Sequence, residues 1–166
     1  ENKKIHIKNS VSKQINDEIK FGLNRYSTYR MFGENVKKSK INLINILKNL
    51  KNNNHKIIGY GATAKATTVL NYCNIGDGII DYFVDTTPDK INRFMPGTKI
   101  KIKKYNQKLL DNVNYIYLGA WNFKDEIFKK EKKFIKKGGK FITHVPYPRI
   151  IQKWYPGIIK KWSNQM

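Results

Sequence analysis

A run of small residues near the middle of the chain, Gly59-Tyr60-Gly61-Ala62-Thr63-Ala64-Lys65, has the composition of a phosphate-binding loop. It follows an apolar stretch typical of a buried strand and opens a stretch typical of a helix, which is the context that this fingerprint requires. The first glycine allows a tight turn, the second lets the backbone approach a pyrophosphate, and the small Ala64 lets helix and strand pack closely. The helix N-terminus would offer unpaired N–H groups to the anion. The alternative is a tight turn that binds no ligand.

A second group of polar residues follows the next predicted strand. Asp85 ends that strand, where a dinucleotide-binding fold places the acid that holds ribose hydroxyls. Asp85 could instead cap the turn at residues 86–89. Lys90 and Arg93 are three residues apart, so on a helical turn they would share a face and could hold a phosphate. A solvated basic face is an equally good interpretation of these two residues.

A third group lies after the later predicted strands. Trp121 could stack on a base or a sugar, and Asn122 could bind the ligand or, more simply, cap the next helix. His144 ends the last predicted strand at the same edge, although a lone histidine is more commonly structural. The sequence has no Ser/His/Asp order, no spaced carboxylate pair and no spacing of metal ligands. We therefore predict a binding site with neither a catalytic set nor a metal.

The composition is that of one ordinary domain with a core. The chain has 166 residues, of which 40% are hydrophobic, and no apolar run approaches the ~20 residues that cross a bilayer. We expect a cytoplasmic protein without a membrane span, and we interpret the lone Cys73 as a buried thiol. The net charge of +21 could indicate nucleic acid or another anion. Because the lysines are spread along the chain among Asn and Ile, a solvated surface is the simpler interpretation.

The pattern from residue 55 onwards alternates between strands and helices. It predicts strands at residues 56–60, 79–84, 114–118 and 140–145, and helices at residues 62–74 and 124–136. This spacing indicates parallel pairing with right-handed crossovers. The predicted fold is a Rossmann-like α/β domain, with a mostly parallel sheet flanked by helices and preceded by a long helical segment.

Three further segments complete the predicted organisation. Residues 1–11 are predicted to contain the trailing strand of a preceding domain, because residues 3–8 alternate between polar and apolar. Residues 12–54 are predicted to form a helical bridge with a break at Gly33, and residues 55–150 the α/β domain. The tail at residues 151–166 carries aromatic residues among lysines. It could lie on a membrane surface, but packing on its own domain or a neighbour is the simpler prediction.

Several of these motifs together resemble the C-terminal domain of the sugar C-methyltransferases, a family that acts on nucleotide-linked deoxysugars. The resemblance covers about residues 10–150, in order and in spacing. It is carried by the glycine loop with Leu70-Asn71-Tyr72-Cys73, by Val84-Asp85-x-x-Pro88-x-Lys90-x-x-Arg93, by Pro96-Gly97-Thr98 and by Trp121-Asn122-x-Lys124-x-Glu126-Ile127.

The resemblance implies a substrate-binding domain that is not catalytic alone. In the family, a zinc-binding module and an S-adenosylmethionine domain precede this one, and the nucleotide sugar lies between the last two domains. We therefore expect S-adenosylmethionine in the preceding methyltransferase domain of the same polypeptide and no cofactor in this chain. The alternatives are an NAD-binding oxidoreductase module and a basic nucleic-acid or interaction module. The candidate substrate-binding residues are Gly59, Tyr60, Gly61, Ala62, Thr63, Lys65, Asp85, Lys90, Arg93, Trp121 and Asn122.

Overall fold

The computed structural model describes residues 8–151, and two helices are the first elements of this part of the chain. They are α1 at Asn9–Phe21 and α2 at Tyr26–Asn52, so a helical segment precedes the sheet as predicted, beginning at Asn9 rather than at residue 12. The chain divides into two compact units, with the boundary after Lys38. The predicted strand at residues 1–8 lies, apart from Lys8, outside the described residues, and so does the tail from residue 152.

Gly22, and not Gly33, separates the two helices. Gly22 has a φ of +89°, and its N–H donates to the carbonyls of Glu18 and Ile19, which is a common way for a helix to end. Thr28 Oγ1 then donates a hydrogen bond to the carbonyl oxygen of Gly22 at 2.8 Å. Gly33 lies inside the continuous helix α2, so the predicted break is wrong. One glycine costs a helix only about 1 kcal/mol, which the rest of α2 can offset.

The apolar stripe of α1 is exposed. Val11, Ile15 and Ile19 recur every four residues, and each keeps 46–49% of its surface accessible. No residue of α1 is buried. No helix within residues 8–151 has the length and apolarity needed to cross a membrane.

The second unit is built on a six-stranded sheet within the described residues, in the order β3-β2-β1-β4-β5-β6. The strands are β1 Ile57–Tyr60, β2 Tyr82–Asp85, β3 Lys101–Lys104, β4 Tyr115–Leu118, β5 Lys140–Thr143 and β6 Arg149–Ile151. The first five are parallel, and β6 runs antiparallel to β5. The chain moves outwards from β1 to β3 and then returns to β4 beside β1. The carboxyl ends of β1 and β4 therefore form a topological switch point.

Helices cover both faces of this sheet. Helix α3 (Ala64–Cys73) and the second half of α2 contribute to one apolar cluster, in which Leu47 and Leu70 are fully buried. Helices α4 (Lys124–Lys130) and α5 (Lys132–Lys136) contribute to the other. Cys73 is buried, as predicted, and burial raises the pKa of its thiol. The predicted α/β class and mostly parallel sheet are confirmed.

The sequence pattern missed two strands and joined two helices. Strand β3 reads Lys-Ile-Lys-Lys and lies at the edge of the sheet beside β2. Its single buried residue, Ile102, gave no alternating signal. Strand β6 has three residues and lies at the other edge. The single helix predicted at residues 124–136 is interrupted at Glu131 and forms α4 and α5.

Candidate functional site

The glycine loop runs from the end of β1 into α3 and packs against the turn that follows β4. Gly61 has a φ of +82°, a left-handed conformation that favours glycine. A Cβ on Gly61 would lie 2.5 Å from the Cβ of Ala120, and a Cβ on Gly119 would meet the carbonyl oxygen of Gly61. A Cβ on Gly59 would likewise meet the ring of Phe83. The close approach of these segments therefore requires the glycines, whether or not a phosphate binds.

Thr63 fixes the start of α3. Its hydroxyl accepts a hydrogen bond from the N–H of Ala66 at 3.1 Å and donates one to the carbonyl oxygen of Gly119 at 3.0 Å. The side chain is thus an N-cap and also a link to the turn after β4. Because the Thr63 hydroxyl proton is already used, an anion at this helix would depend on the backbone N–H groups of the first turn.

Asp85 joins the end of β2 to the glycine loop. Its Oδ2 accepts the N–H of Ala62 at 2.7 Å, and its Oδ1 accepts the N–H of Thr87 at 2.8 Å. The Nζ of Lys90 lies 3.8 Å from Oδ2. Burial alone would raise the pKa of Asp85, but the hydrogen bonds and the lysine charge outweigh burial and lower it. These contacts correspond to the turn-capping role that was the alternative to a ribose-binding acid.

A cleft of about 380 Å³ opens at the carboxyl ends of β1, β2 and β4, beside the switch point. It lies where open α/β sheets bind their ligands. Side chains from the end of β3 and from α4 extend its wall beyond the glycine loop. Five of the predicted site residues line this cleft: Tyr60, Gly61, Thr63, Asp85 and Lys90.

Six predicted site residues are not among those that line the cleft: Gly59, Ala62, Lys65, Arg93, Trp121 and Asn122. The Nζ of Lys65 lies 5.2 Å from the ring centroid of Trp121, so these two side chains contact each other. The side chains of Arg93 and Asn122 are exposed. Helix α4 has no side-chain N-cap, so the predicted cap by Asn122 is wrong. The ligand-binding roles of the six residues stay predictions.

A family model described as the C-methyltransferase C-terminal domain matches residues 1–146. The chain belongs to this family. The C-methyltransferase NovU of Streptomyces niveus is 30% identical to the chain over 145 residues, which make up 87% of this chain and 34% of NovU. The chain therefore spans about one third of the length of that relative. The resemblance inferred from the sequence motifs is confirmed for the family.

Three residues that line the cleft of this C-methyltransferase domain were not singled out from the sequence: Tyr105, Phe123 and Lys130. Tyr105 follows β3, and without that strand its position at the sheet edge could not be predicted. Phe123 is two residues from Trp121, the aromatic residue that the motif emphasised. Lys130 follows Glu126 by four residues on α4, and this helical spacing is the one signal that could have indicated it.

Glu131 is completely buried between α4 and α5 and binds two tyrosines of the domain. Its Oε1 accepts hydrogen bonds from the hydroxyls of Tyr60 at 3.0 Å and Tyr105 at 2.7 Å. Burial, and after it the charge and hydrogen bonds of Glu131, raise the pKa of both tyrosines far above the ordinary value. Both hydroxyls therefore keep their protons near neutral pH, so neither can act as a base.

His144 follows β5 and is not among the residues that line the cleft. Its Nδ1 lies 2.9 Å from the hydroxyl of Tyr117, and the two rings stack. Burial lowers the pKa of His144 to about 4, so its ring is neutral near pH 7. These contacts correspond to the structural role considered for His144 in the sequence.

Proposed function

We propose that this chain binds the nucleotide-sugar substrate of an S-adenosylmethionine-dependent C-methyltransferase and is not catalytic alone. The cleft at the switch point carries the proposal, because open α/β sheets bind their ligands there. Membership of the C-methyltransferase family supports methyl transfer as the reaction of the whole enzyme. The substrate would be a nucleotide-linked deoxysugar, as the resemblance to the sugar C-methyltransferases implies.

Two lysines of the cleft suit the diphosphate of such a substrate. The Nζ of Lys90 lies 3.8 Å from Oδ2 of Asp85, and the Nζ of Lys130 lies 3.6 Å from the ring centroid of Tyr105. An ammonium group has three donors, so these contacts leave capacity for phosphate oxygens. The net charge of +21 adds a long-range attraction for an anionic ligand.

An aromatic ring of the same cleft suits a nucleobase. Phe123 is 52% exposed and lines the cleft, so its ring can stack on a planar base. Trp121, which the sequence favoured for this role, is half-buried beside Lys65. We therefore assign base stacking to Phe123.

S-adenosylmethionine and NAD suit this cleft less well. A Rossmann-type site holds the cofactor ribose with the acid at the end of β2. Both oxygens of that acid, Asp85, already accept backbone N–H groups, so fewer of its lone pairs are left for ribose hydroxyls. The strand order is one that dinucleotide-binding domains also use, and this observation makes an NAD-binding oxidoreductase module the second candidate. We assign S-adenosylmethionine to a different part of the enzyme.

We also assign the chemistry of methyl transfer to the part of the enzyme that binds S-adenosylmethionine. In the proposed reaction a base removes a proton next to a keto group, and the enolate carbon takes the methyl group. Tyr60 and Tyr105 keep their protons, and Asp85 is held by hydrogen bonds. Glu126, the other carboxylate that lines the described cleft, is exposed to water. Within residues 8–151, no three His, Cys, Asp or Glu side chains are grouped as a metal site requires. The described cleft therefore suits binding better than proton transfer.

The proposal is tested by isothermal titration calorimetry of the chain with thymidine diphosphate, NAD and S-adenosylmethionine at moderate salt. We expect thymidine diphosphate to bind and the two cofactors not to bind. Lys130→Met should weaken its binding by roughly tenfold or more, because a hydrogen bond to a charged group is lost. Lys129→Met is the matched control, since Lys129 is exposed on the same helix and does not line the cleft.

Two outcomes would contradict the proposal. Tight binding of NAD without binding of thymidine diphosphate would favour the oxidoreductase module. Binding of no nucleotide diphosphate would show that this chain does not form the substrate site. If Lys130→Met and Lys129→Met lose the same affinity for thymidine diphosphate, Lys130 contributes only through the general positive charge of the chain.

A further inference from the structure

Glu131 is a buried carboxylate that the stability of the fold does not explain. The residue is 0% exposed, and its Oε2 has no hydrogen-bond partner. It lies beside the apolar cluster that contains Phe128 and Phe134. Burying a charge costs a great deal of free energy, and apolar side chains in place of a buried charge and its polar partners together are often as stabilising or more so. A different requirement must therefore favour a carboxylate at this position.

The two partners of Glu131 come from separate parts of the sheet. Tyr60 ends β1, and Tyr105 directly follows β3, so the strand β2 lies between their strands. Both side chains line the cleft, and their rings meet edge to face with centroids 5.6 Å apart. One oxygen of Glu131 accepts both hydroxyls and holds the pair in this arrangement.

We propose that Glu131 is a positioning residue, which fixes Tyr60 and Tyr105 as a wall of the cleft that accepts hydrogen bonds from the sugar hydroxyls of the substrate. The inference rests on the proposed function, because it needs a nucleotide sugar in this cleft. Tyr60 donates its only hydroxyl proton to Glu131, so its oxygen can offer only lone pairs to a ligand. The hydroxyl of Tyr105 lies within hydrogen-bond distance of both Glu131 and Gln107, and its oxygen offers only lone pairs where its proton goes to Glu131, the nearer of the two. Such a wall suits the hydroxyl groups of a sugar and disfavours a phosphate.

The wall also separates the two ends of the ligand. The Nζ of Lys130 lies 3.6 Å from the ring centroid of Tyr105 and 5.9 Å from that of Tyr60. The diphosphate therefore has a cation next to the tyrosines, while the tyrosine oxygens are left for hydrogen-bond donors. The hydroxyl of Tyr105 also lies 2.9 Å from Oε1 of Gln107. With the amide in the opposite orientation, its nitrogen donates to that hydroxyl and leaves one lone pair of the Tyr105 oxygen for the ligand.

The test compares two probes, thymidine diphosphate and thymidine diphosphate glucose, in the wild-type chain and in Glu131→Leu. We expect Glu131→Leu to weaken binding of the sugar nucleotide by roughly tenfold, the effect of losing an orienting hydrogen bond. Binding of thymidine diphosphate should be unchanged. The thermal midpoint should fall, because the buried hydroxyl of Tyr60 loses its acceptor, so both probes are titrated well below the midpoint of the variant. A purely structural role would instead weaken both probes together.

Two further variants test whether Glu131 acts as a hydrogen-bond acceptor for the tyrosines or through its charge. Glu131→Gln keeps an oxygen that can accept both hydroxyls, so it should restore the affinity for the sugar nucleotide. Tyr105→Phe leaves the core intact and should show the same selective loss, whereas Tyr72→Phe, an exposed tyrosine that does not line the cleft, should not.

The inference and the proposed function fail in different ways. If the wild-type chain binds neither probe, the proposed function is wrong and the positioning role is wrong with it. If the wild-type chain binds both probes and Glu131→Leu matches it, only the positioning role is wrong. The same conclusion follows if Glu131→Gln binds no better than Glu131→Leu.

Discussion

The Oδ2 of Asp85 accepts the backbone N–H of Ala62 at 2.7 Å, so a side chain at the end of β2 holds the loop that follows β1. The two strands are parallel neighbours, and their carboxyl ends reach the same edge of the sheet. The other oxygen of Asp85 accepts the N–H of Thr87. One carboxylate therefore organises two of the loops that line the cleft.

Asp85→Ala should destabilise the domain. Two backbone N–H groups, those of Ala62 and Thr87, would lose their acceptor, and each unsatisfied buried group costs about 1–3 kcal/mol. We expect a loss of roughly 2–4 kcal/mol in the free energy of unfolding, measured by urea denaturation, because Thr87 is exposed and can bind water instead. Asp89→Ala, an exposed acid in the same turn, is the control and should change stability little. Equal effects of the two variants would contradict the structural role of Asp85.

The domain should lose stability as the pH falls from about 6.5 to about 4. Burial lowers the pKa of His144 from 6.5 to about 4, so the unfolded chain binds a proton in this range that the folded chain does not. The contribution of His144 is therefore complete above pH 6.5 and is lost as the pH falls. The shift corresponds to at most about 3 kcal/mol.

Urea denaturation at several pH values between about 4 and 7 measures the slope of the free energy of unfolding against pH. His144→Gln should flatten this slope, because glutamine does not titrate. The same replacement at His55, which packs edge-on against Tyr115, is the matched control. A slope that persists unchanged in His144→Gln would show that other groups cause it.

The sequence predicted those parts of the fold and site that depend on local pattern. Gly59 and Gly61 were recognised because a strand, a tight turn and a helix follow one another within a few residues. Strand β3 was missed because an edge strand with one buried residue, Ile102, has almost no apolar signal. Its position depends on pairing with β2, which is a tertiary contact.

The candidate site likewise combines residues that local sequence patterns predict with residues that only tertiary contacts bring together. Tyr105 and Lys130 are 25 positions apart, and only the pairing of β3 and the packing of α4 bring them to one cleft. Stacking was assigned to Trp121 from the sequence, and Phe123 was given no role. Which of two neighbouring rings faces a cleft depends on the 3₁₀ turn at Trp121–Phe123, which the pattern did not predict.

Gly61→Ala should be more destabilising than Gly138→Ala. Both glycines have positive φ, so alanine at either position costs about 1–2 kcal/mol of backbone strain. At Gly138 a Cβ meets nothing within 4 Å, whereas at Gly61 it lies 2.5 Å from the Cβ of Ala120. This overlap should add roughly 1–3 kcal/mol. Urea denaturation measures the free energy of unfolding of the two variants. Equal losses of stability would show that the glycine loop and the turn after β4 can move apart at no cost in free energy.

Phe123→Leu should weaken the binding of thymidine diphosphate, whereas Trp121→Leu should not. The ring of Phe123 is 52% exposed in the cleft, and stacking of one base on an aromatic ring contributes about 1–3 kcal/mol. Trp121 contacts Lys65, and neither residue lines the cleft. Titration calorimetry of both variants, with Lys65→Met as a third, gives the affinities. If Trp121→Leu and Lys65→Met weaken binding and Phe123→Leu does not, the ligand lies over the N-terminus of α3, as the glycine motif alone suggests, and not in the cleft.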